Sequence, residues 1–65
     1  PPPAERGKMI RIKYVTQVSR QPTVIALYLN YPKLVRQSYK RYLENQLRSA
    51  FDLQGIPLKL SFRRK

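Results

Sequence analysis

An α+β fold is predicted for this chain by three observations. Two segments, 8–18 and 58–63, alternate between apolar and polar residues as strands do. Between them lies an apolar run, Val24-Ile25-Ala26-Leu27-Tyr28-Leu29, of strand length and β-branched character. From Tyr39 to Phe51 the apolar residues instead recur at the spacing of a helix. The order is strand, strand, short helical turn, long helix, strand. It gives a three-stranded sheet with helical cover on one face.

Residues 1–7, Pro1-Pro2-Pro3-Ala4-Glu5-Arg6-Gly7, read as a proline-rich extended linker, a tether to an upstream domain. The folded domain occupies 8–65. In the first strand Ile10, Ile12, Tyr14, Thr16 and Val18 share a face suited to a core. Arg11, Lys13, Val15 and Gln17 share the other face. Ser19-Arg20-Gln21-Pro22 is a polar connection long enough for a hairpin. The second strand, 23–30, is apolar on both faces, the pattern of a central strand covered on both sides. The face that turns away from the helix should therefore be partly exposed here and pair with another domain.

Pro32 can open a helical turn, where its missing N–H costs nothing. Lys33-Leu34-Val35-Arg36 supplies that turn, and Ser38 is the expected N-cap of the long helix. The helical stripe is Tyr39, Tyr42, Leu43, Gln46, Leu47, Ala50 and Phe51, with Leu43 and Leu47 expected to be buried against the sheet. Lys40, Arg41, Glu44, Asn45, Arg48 and Ser49 face outward. Glu44 and Arg48 form a surface pair worth about 0.2–0.5 kcal/mol. Gly55 is expected to reverse the chain after the helix, and Pro57 to block its continuation. In the last strand Leu58, Leu60 and Phe62 face in while Lys59, Ser61 and Arg63 face out.

Composition removes most enzymatic chemistry. The 65 residues contain 14 Lys and Arg against 3 Asp and Glu, a net charge of +11, and neither His nor Cys. Disulfides, thiol nucleophiles, Cys/His metal sites and Ser-His-Asp triads are excluded. The carboxylates Glu5, Glu44 and Asp52 are too dispersed for a paired-carboxylate hydrolase. Two glycines cannot build a phosphate-cradling loop. The stretch is read as no enzyme, with no cofactor of its own. The six-residue apolar run falls far short of the about 20 residues a membrane span needs, so no membrane partner is expected.

The charge points to polyanions, against the blander reading of a solvated basic surface. Lys33, Arg36, Lys40 and Arg41 cluster around the start of the long helix, whose amide groups also favour anions. Arg11, Lys13, Lys59 and Arg63 form a rival patch on outward sheet positions. Binding through such residues reads phosphate rather than sequence. Tyr14, Tyr39 and Tyr42 are expected in the core, which leaves Tyr31 as the tyrosine to test for base stacking. A strand–helix–loop–helix–strand unit is the core of KH domains, which clamp nucleic acid with a GXXG loop. Here the corresponding Val35-Arg36-Gln37-Ser38 has no glycine, so close backbone clamping is not expected.

Several segments occur in order that resemble one family. They are Tyr14-Val15-Thr16-Gln17, Gln21-Pro22-Thr23, Leu29-Asn30-Tyr31-Pro32, the helix Ser38-Tyr39-Lys40-Arg41-Tyr42-Leu43-Glu44-Asn45-Gln46-Leu47-Arg48, and Gly55-Ile56-Pro57-Leu58-Lys59-Leu60-Ser61-Phe62-Arg63. Together, over roughly residues 8–63, they resemble the C-terminal KH-like domain of the EngA/Der family of tandem-GTPase ribosome-assembly factors. The resemblance implies two upstream GTPase domains, which would carry GTP and Mg. It also implies maturation of the large ribosomal subunit with rRNA as a partner, in the bacterial cytoplasm or an organelle. The alternative role is intramolecular: a module that packs against a GTPase domain and positions it.

Overall fold

The structure is a computed structural model and describes residues 4–65. Pro1–Pro3, the head of the expected linker, lie outside the described residues. The next stretch folds back on itself as a hairpin. Strands β1 (Ala4–Glu5) and β2 (Lys8–Met9) pair antiparallel around Arg6 and Gly7. Both loop residues have positive φ, 53° and 73°, as a two-residue hairpin turn of the I′ kind requires. Gly7 supplies that conformation without a Cβ penalty.

The main sheet has the order β3-β4-β5, built from β3 (Ile12–Arg20), β4 (Thr23–Leu29) and β5 (Leu58–Arg64). The hairpin joining β3 and β4 turns on Gln21 and a cis Pro22, tied by Ser19 Oγ donating to the Pro22 carbonyl at 2.7 Å. β4 and β5 run parallel, which requires a crossover. A 3-10 turn (Pro32–Leu34, with Pro32 leading it) and helix α1 (Gln37–Ala50) supply it. The central apolar run thus becomes the middle strand. Ile25, Leu27 and Leu29 form the buried core with Ile10 and Val35, and Tyr39, Leu43, Leu47, Leu58, Leu60 and Phe62 pack around it. Each such buried aliphatic side chain contributes about 1.5–3 kcal/mol of transfer free energy.

The faces of β3 differ from the alternation in the sequence. Register shifts fall between Ile12 and Tyr14 and between Gln17 and Ser19, leaving Lys13 and Val18 as the extra residues of two bulges. Residues opposite each other across a ladder share a face. Ile12 lies opposite Leu29, Val15 opposite Leu27, and Gln17 opposite Ile25, so these three turn to the helix side. Tyr14 and Thr16, expected in the core, lie opposite Tyr28 and Ala26 on the other face. Val18 is exposed rather than buried. β5 follows its pattern: Leu58, Leu60 and Phe62 are half-buried on the helix side, and Lys59, Ser61 and Arg63 share the outer face. On that outer face of β4, Val24 and Tyr28 are half-buried and Ala26 is fully covered.

Helix α1 packs through a narrower seam than its periodicity suggests. Tyr39, Leu43 and Leu47 lean on the core, each half-buried rather than fully buried. Tyr42 is exposed, and Gln46 Nε2 donates to its hydroxyl at 3.0 Å on the flank. Phe51 is 63% exposed. With Val15, Gln17, Ile25 and Leu53 it lines an open groove between β3 and the end of α1. The helix begins one residue before the expected cap. Arg36 takes the N-cap position with no side-chain hydrogen bond capping the helix N–H groups, and Ser38 lies inside the first turn.

Its end is a Schellman arrangement: Phe51 N–H donates to Leu47 and Leu53 N–H to the Arg48 carbonyl at 2.8 Å. The residue that reverses the chain there is Asp52, at φ 55°, whereas Gly55, at φ 76°, serves the next turn.

Candidate nucleic-acid interface

The outer face of the sheet carries an aromatic and cationic cluster. Tyr14 and Tyr28, neighbours across the β3–β4 ladder, stack with ring centroids 4.5 Å apart and planes 18° from parallel. Arg63, opposite Tyr28 on β5, donates from Nη1 to the Tyr28 hydroxyl at 3.1 Å and from Nε to Ser61 Oγ at 3.0 Å. Its guanidinium carbon also lies 5.8 Å from the Tyr28 ring centre. Lys65 continues the strand, its N–H donating to the Leu29 carbonyl at 3.0 Å, and its ammonium sits 5.4 Å from the Tyr14 ring centre. Each cation–ring contact at an exposed site is worth about 0.5–1 kcal/mol. The sheet positions sharing this face are Tyr14, Thr16, Ser19, Val24, Ala26, Tyr28, Lys59, Ser61 and Arg63, and none is a carboxylate.

The rival sheet patch is therefore brought together only in part. Lys59 and Arg63 share the outer face of β5. Arg11 precedes β3, where its N–H donates to Asn30 Oδ1 at 2.9 Å, and Lys13 occupies a bulge of the opposite edge strand. Arg11 and Lys13 thus lie two strands away from Lys59 and Arg63, about 10 Å across the sheet. Lys65 and the tyrosine pair joined this site unforeseen. Lys65 could have been found by carrying the β5 alternation to the end of the chain. Tyr14 could not, because the bulge reverses its face.

The helix-start residues form a second surface. Lys33, Arg36 and Arg41 are exposed, and α1 has no acidic residue in its first turn. The carbonyl of Arg36 accepts from the N–H groups of Tyr39 and Lys40 at 3.1 and 3.0 Å. Lys40 turns inward instead, half-buried, with its ammonium 5.0 Å from the Phe62 ring centre. Tyr31, singled out for stacking, packs against the core, and Lys8 lies 5.4 Å from its ring centre.

The strand order, the parallel β4–β5 pair and the helical crossover are the parts expected of a KH-like unit. A family model for the KH-domain-like region at the C-terminus of EngA bacterial GTPases matches residues 1–63. The chain belongs to this KH-like family. Among curated relatives it is 54% identical over 65 residues to a GTPase Der of Amoebophilus asiaticus, covering 100% of this chain and 15% of the relative. It is 48% identical over 60 residues to the GTPase Der of Natranaerobius thermophilus, covering 92% of this chain and 14% of that protein. It is 49% identical over 63 residues to the GTPase Der of Bartonella henselae, covering 97% and 13%. The chain thus spans about one seventh of these relatives, and what it matches is their KH-like portion. Within that KH-like frame the link between the 3-10 turn and α1 is Val35-Arg36, with no glycine to let a backbone approach closely.

Proposed function

We propose that this KH-like domain is the C-terminal module of a ribosome-assembly GTPase and contacts rRNA of the large ribosomal subunit, mainly through Lys and Arg on phosphate. The observation that carries the reading is a net charge of +11, with cations gathered on two surfaces: Lys59, Arg63 and Lys65 on the outer sheet face, and Lys33, Arg36 and Arg41 around the start of α1. Relatives named GTPase Der support the larger frame. GTP and Mg would then be bound by upstream domains of the longer protein, working in the bacterial cytoplasm or in an organelle. Without glycine in the link, close clamping by backbone amides is not expected and affinity should come mainly from Lys and Arg side chains on phosphate, so sequence preference should be low and salt dependence steep.

Titration of the chain with large-subunit rRNA fragments at several salt concentrations tests this. Affinity should fall linearly in log–log form as salt rises, with similar slopes for different sequences. No binding at roughly 50 mM salt, where such contacts are strongest, would end the RNA reading.

A second reading is favoured by the groove beside β3. Phe51 and Val15 are apolar, yet 63% and 42% exposed, on the helix side of the sheet beyond the reach of α1's packed seam. A domain of the same protein packed there would hold this module in a fixed orientation. The double variant Val15→Ser, Phe51→Ser should then weaken association with the GTPase domains while leaving RNA affinity unchanged. Unaltered association would remove the docking reading.

A further inference from the structure

The outer sheet face does more than display charge. β5 places Lys59, Ser61, Arg63 and Lys65 on one side of the sheet in a single row. Alternate residues along a strand repeat at about 6.6 Å, so the row is linear. Its central member is fixed in advance: Arg63 spends two of its five N–H groups on Ser61 Oγ and the Tyr28 hydroxyl. Three N–H groups remain for a ligand, on a guanidinium whose orientation is already set. A fork held in this way loses little freedom on binding an anion. Lys65 is placed beside the Tyr14 ring, and Tyr14 is itself stacked on Tyr28. The two rings therefore engage each other and a cation each, which makes them supports for the cations rather than platforms for bases.

Ser61 lies between Lys59 and Arg63 in the row, and the neighbouring positions of β4 and β3 on this face, Val24, Ala26, Thr16 and Ser19, are uncharged. Glu44 and Asp52 lie on α1 and at its C-terminal end, away from this row. The geometry points to a phosphate track: an RNA strand runs along β5 with its phosphates on Lys59, Arg63 and Lys65, and Tyr28 and Tyr14 act as positioning residues. This rests on the RNA reading above and assigns that reading a seat away from the helical turns. The occupant is RNA because this edge of the face offers a row of cations at strand spacing with no carboxylate among the sheet positions beside it, which complements a regular polyanion.

The experiment uses the 65-residue chain, a uridine oligonucleotide and a structured rRNA fragment. Binding is measured against salt, and circular dichroism melts check the fold. Arg63→Gln with Lys65→Gln should weaken binding about tenfold or more at low salt and flatten the log–log slope by about two. Tyr28→Phe, which keeps the ring and removes the oxygen that orients Arg63, should weaken binding a few-fold with an unchanged melt. Amide shifts on adding the oligonucleotide should concentrate at residues 59–65 and at Tyr28. If the double variant binds like the original while Lys33→Gln with Arg41→Gln loses binding, the track is wrong and the RNA reading survives. If the original chain binds no RNA, both fall. If the double variant keeps RNA affinity but loses binding to an acidic polypeptide, the face belongs to a protein and the track is again wrong.

Discussion

Arg48 donates from Nη1 to the carbonyl oxygen of Ile56 at 2.7 Å, eight residues further along the chain. The same nitrogen donates to the Leu53 carbonyl at 2.9 Å, while Nε and Nη2 hold Glu44 Oε2 at 3.1 and 3.0 Å. Periodicity alone makes Arg48 an outward residue with one helical ion pair. In the fold it bolts the last turn of α1 to the loop that delivers β5. The loop carbonyls of Leu53 and Ile56 have this one side chain as a shared donor.

Arg48→Ala should therefore cost about 1.5–3 kcal/mol, since several bonds from one charged donor are lost together. Leu47→Ala should cost about 2 kcal/mol, the lower end for a leucine, because Leu47 is only half-buried. The two losses should be similar in thermal or urea melts. Arg48→Lys should recover little, because an ammonium lacks the planar fork that reaches Glu44 and both carbonyls at once. A nearly silent Arg48→Ala would mean that the loop is held by its backbone hydrogen bonds and packing without this side chain.

Asp52 sits at the residue after the helix cap with φ 55°. Asp tolerates this left-handed conformation better than most side chains, and glycine better still. Asp52→Gly should be neutral or stabilise by up to about 1 kcal/mol. Asp52→Val should destabilise by about 1–2 kcal/mol, because a β-branched side chain is strained there. Urea titrations of the two variants should bracket the original chain, with valine the lower.

Asn30 joins the beginning of the chain to the sheet. Its Nδ2 donates to the Met9 carbonyl at 2.8 Å and its Oδ1 accepts from Arg11 N–H at 2.9 Å. Both bonds span about twenty residues of sequence and hold the segment that carries the buried Ile10. Asn30→Ala should cost about 1–2 kcal/mol, and Asn30→Asp should keep only the bond from Arg11. Hydrogen exchange at the Arg11 amide should accelerate in the alanine variant and remain slower in the aspartate variant.

How far the fold was legible follows from which patterns are local. The helix and β5 each carry a period, and the central strand an unbroken apolar run, that a short window shows, so they stand where the sequence puts them. Asp52, Asn30 and Arg48 act on backbone groups several to twenty residues away, and no periodicity reports a backbone acceptor. The outer-face cluster was half legible. Lys59 and Arg63 follow from the alternation in β5, but the tyrosines that orient Arg63 and Lys65 meet only because one extra residue changes the sense of β3.

That extra residue gives a direct test. Lys13 lies in the bulge between the Ile12–Leu29 and Tyr14–Tyr28 pairs. In a regular strand, deleting one residue moves every following side chain to the opposite face. Deleting Lys13 should not, because Ile12 and Tyr14 already lie on opposite faces and would simply become consecutive. The chain without Lys13 should fold, with a loss of at most about 1–2 kcal/mol from altered twist at the bulge. Deleting Thr16, between the two bulges, should be far worse. It would put Gln17 in the place of Thr16 on the outer face unless the second bulge closed to compensate, and it would disturb the pairing beside Ile25 and Ala26. Cross-strand NMR contacts between the Tyr14 and Tyr28 rings should persist without Lys13. Their loss in a chain that still melts cooperatively would show that the bulge does not set the faces of β3.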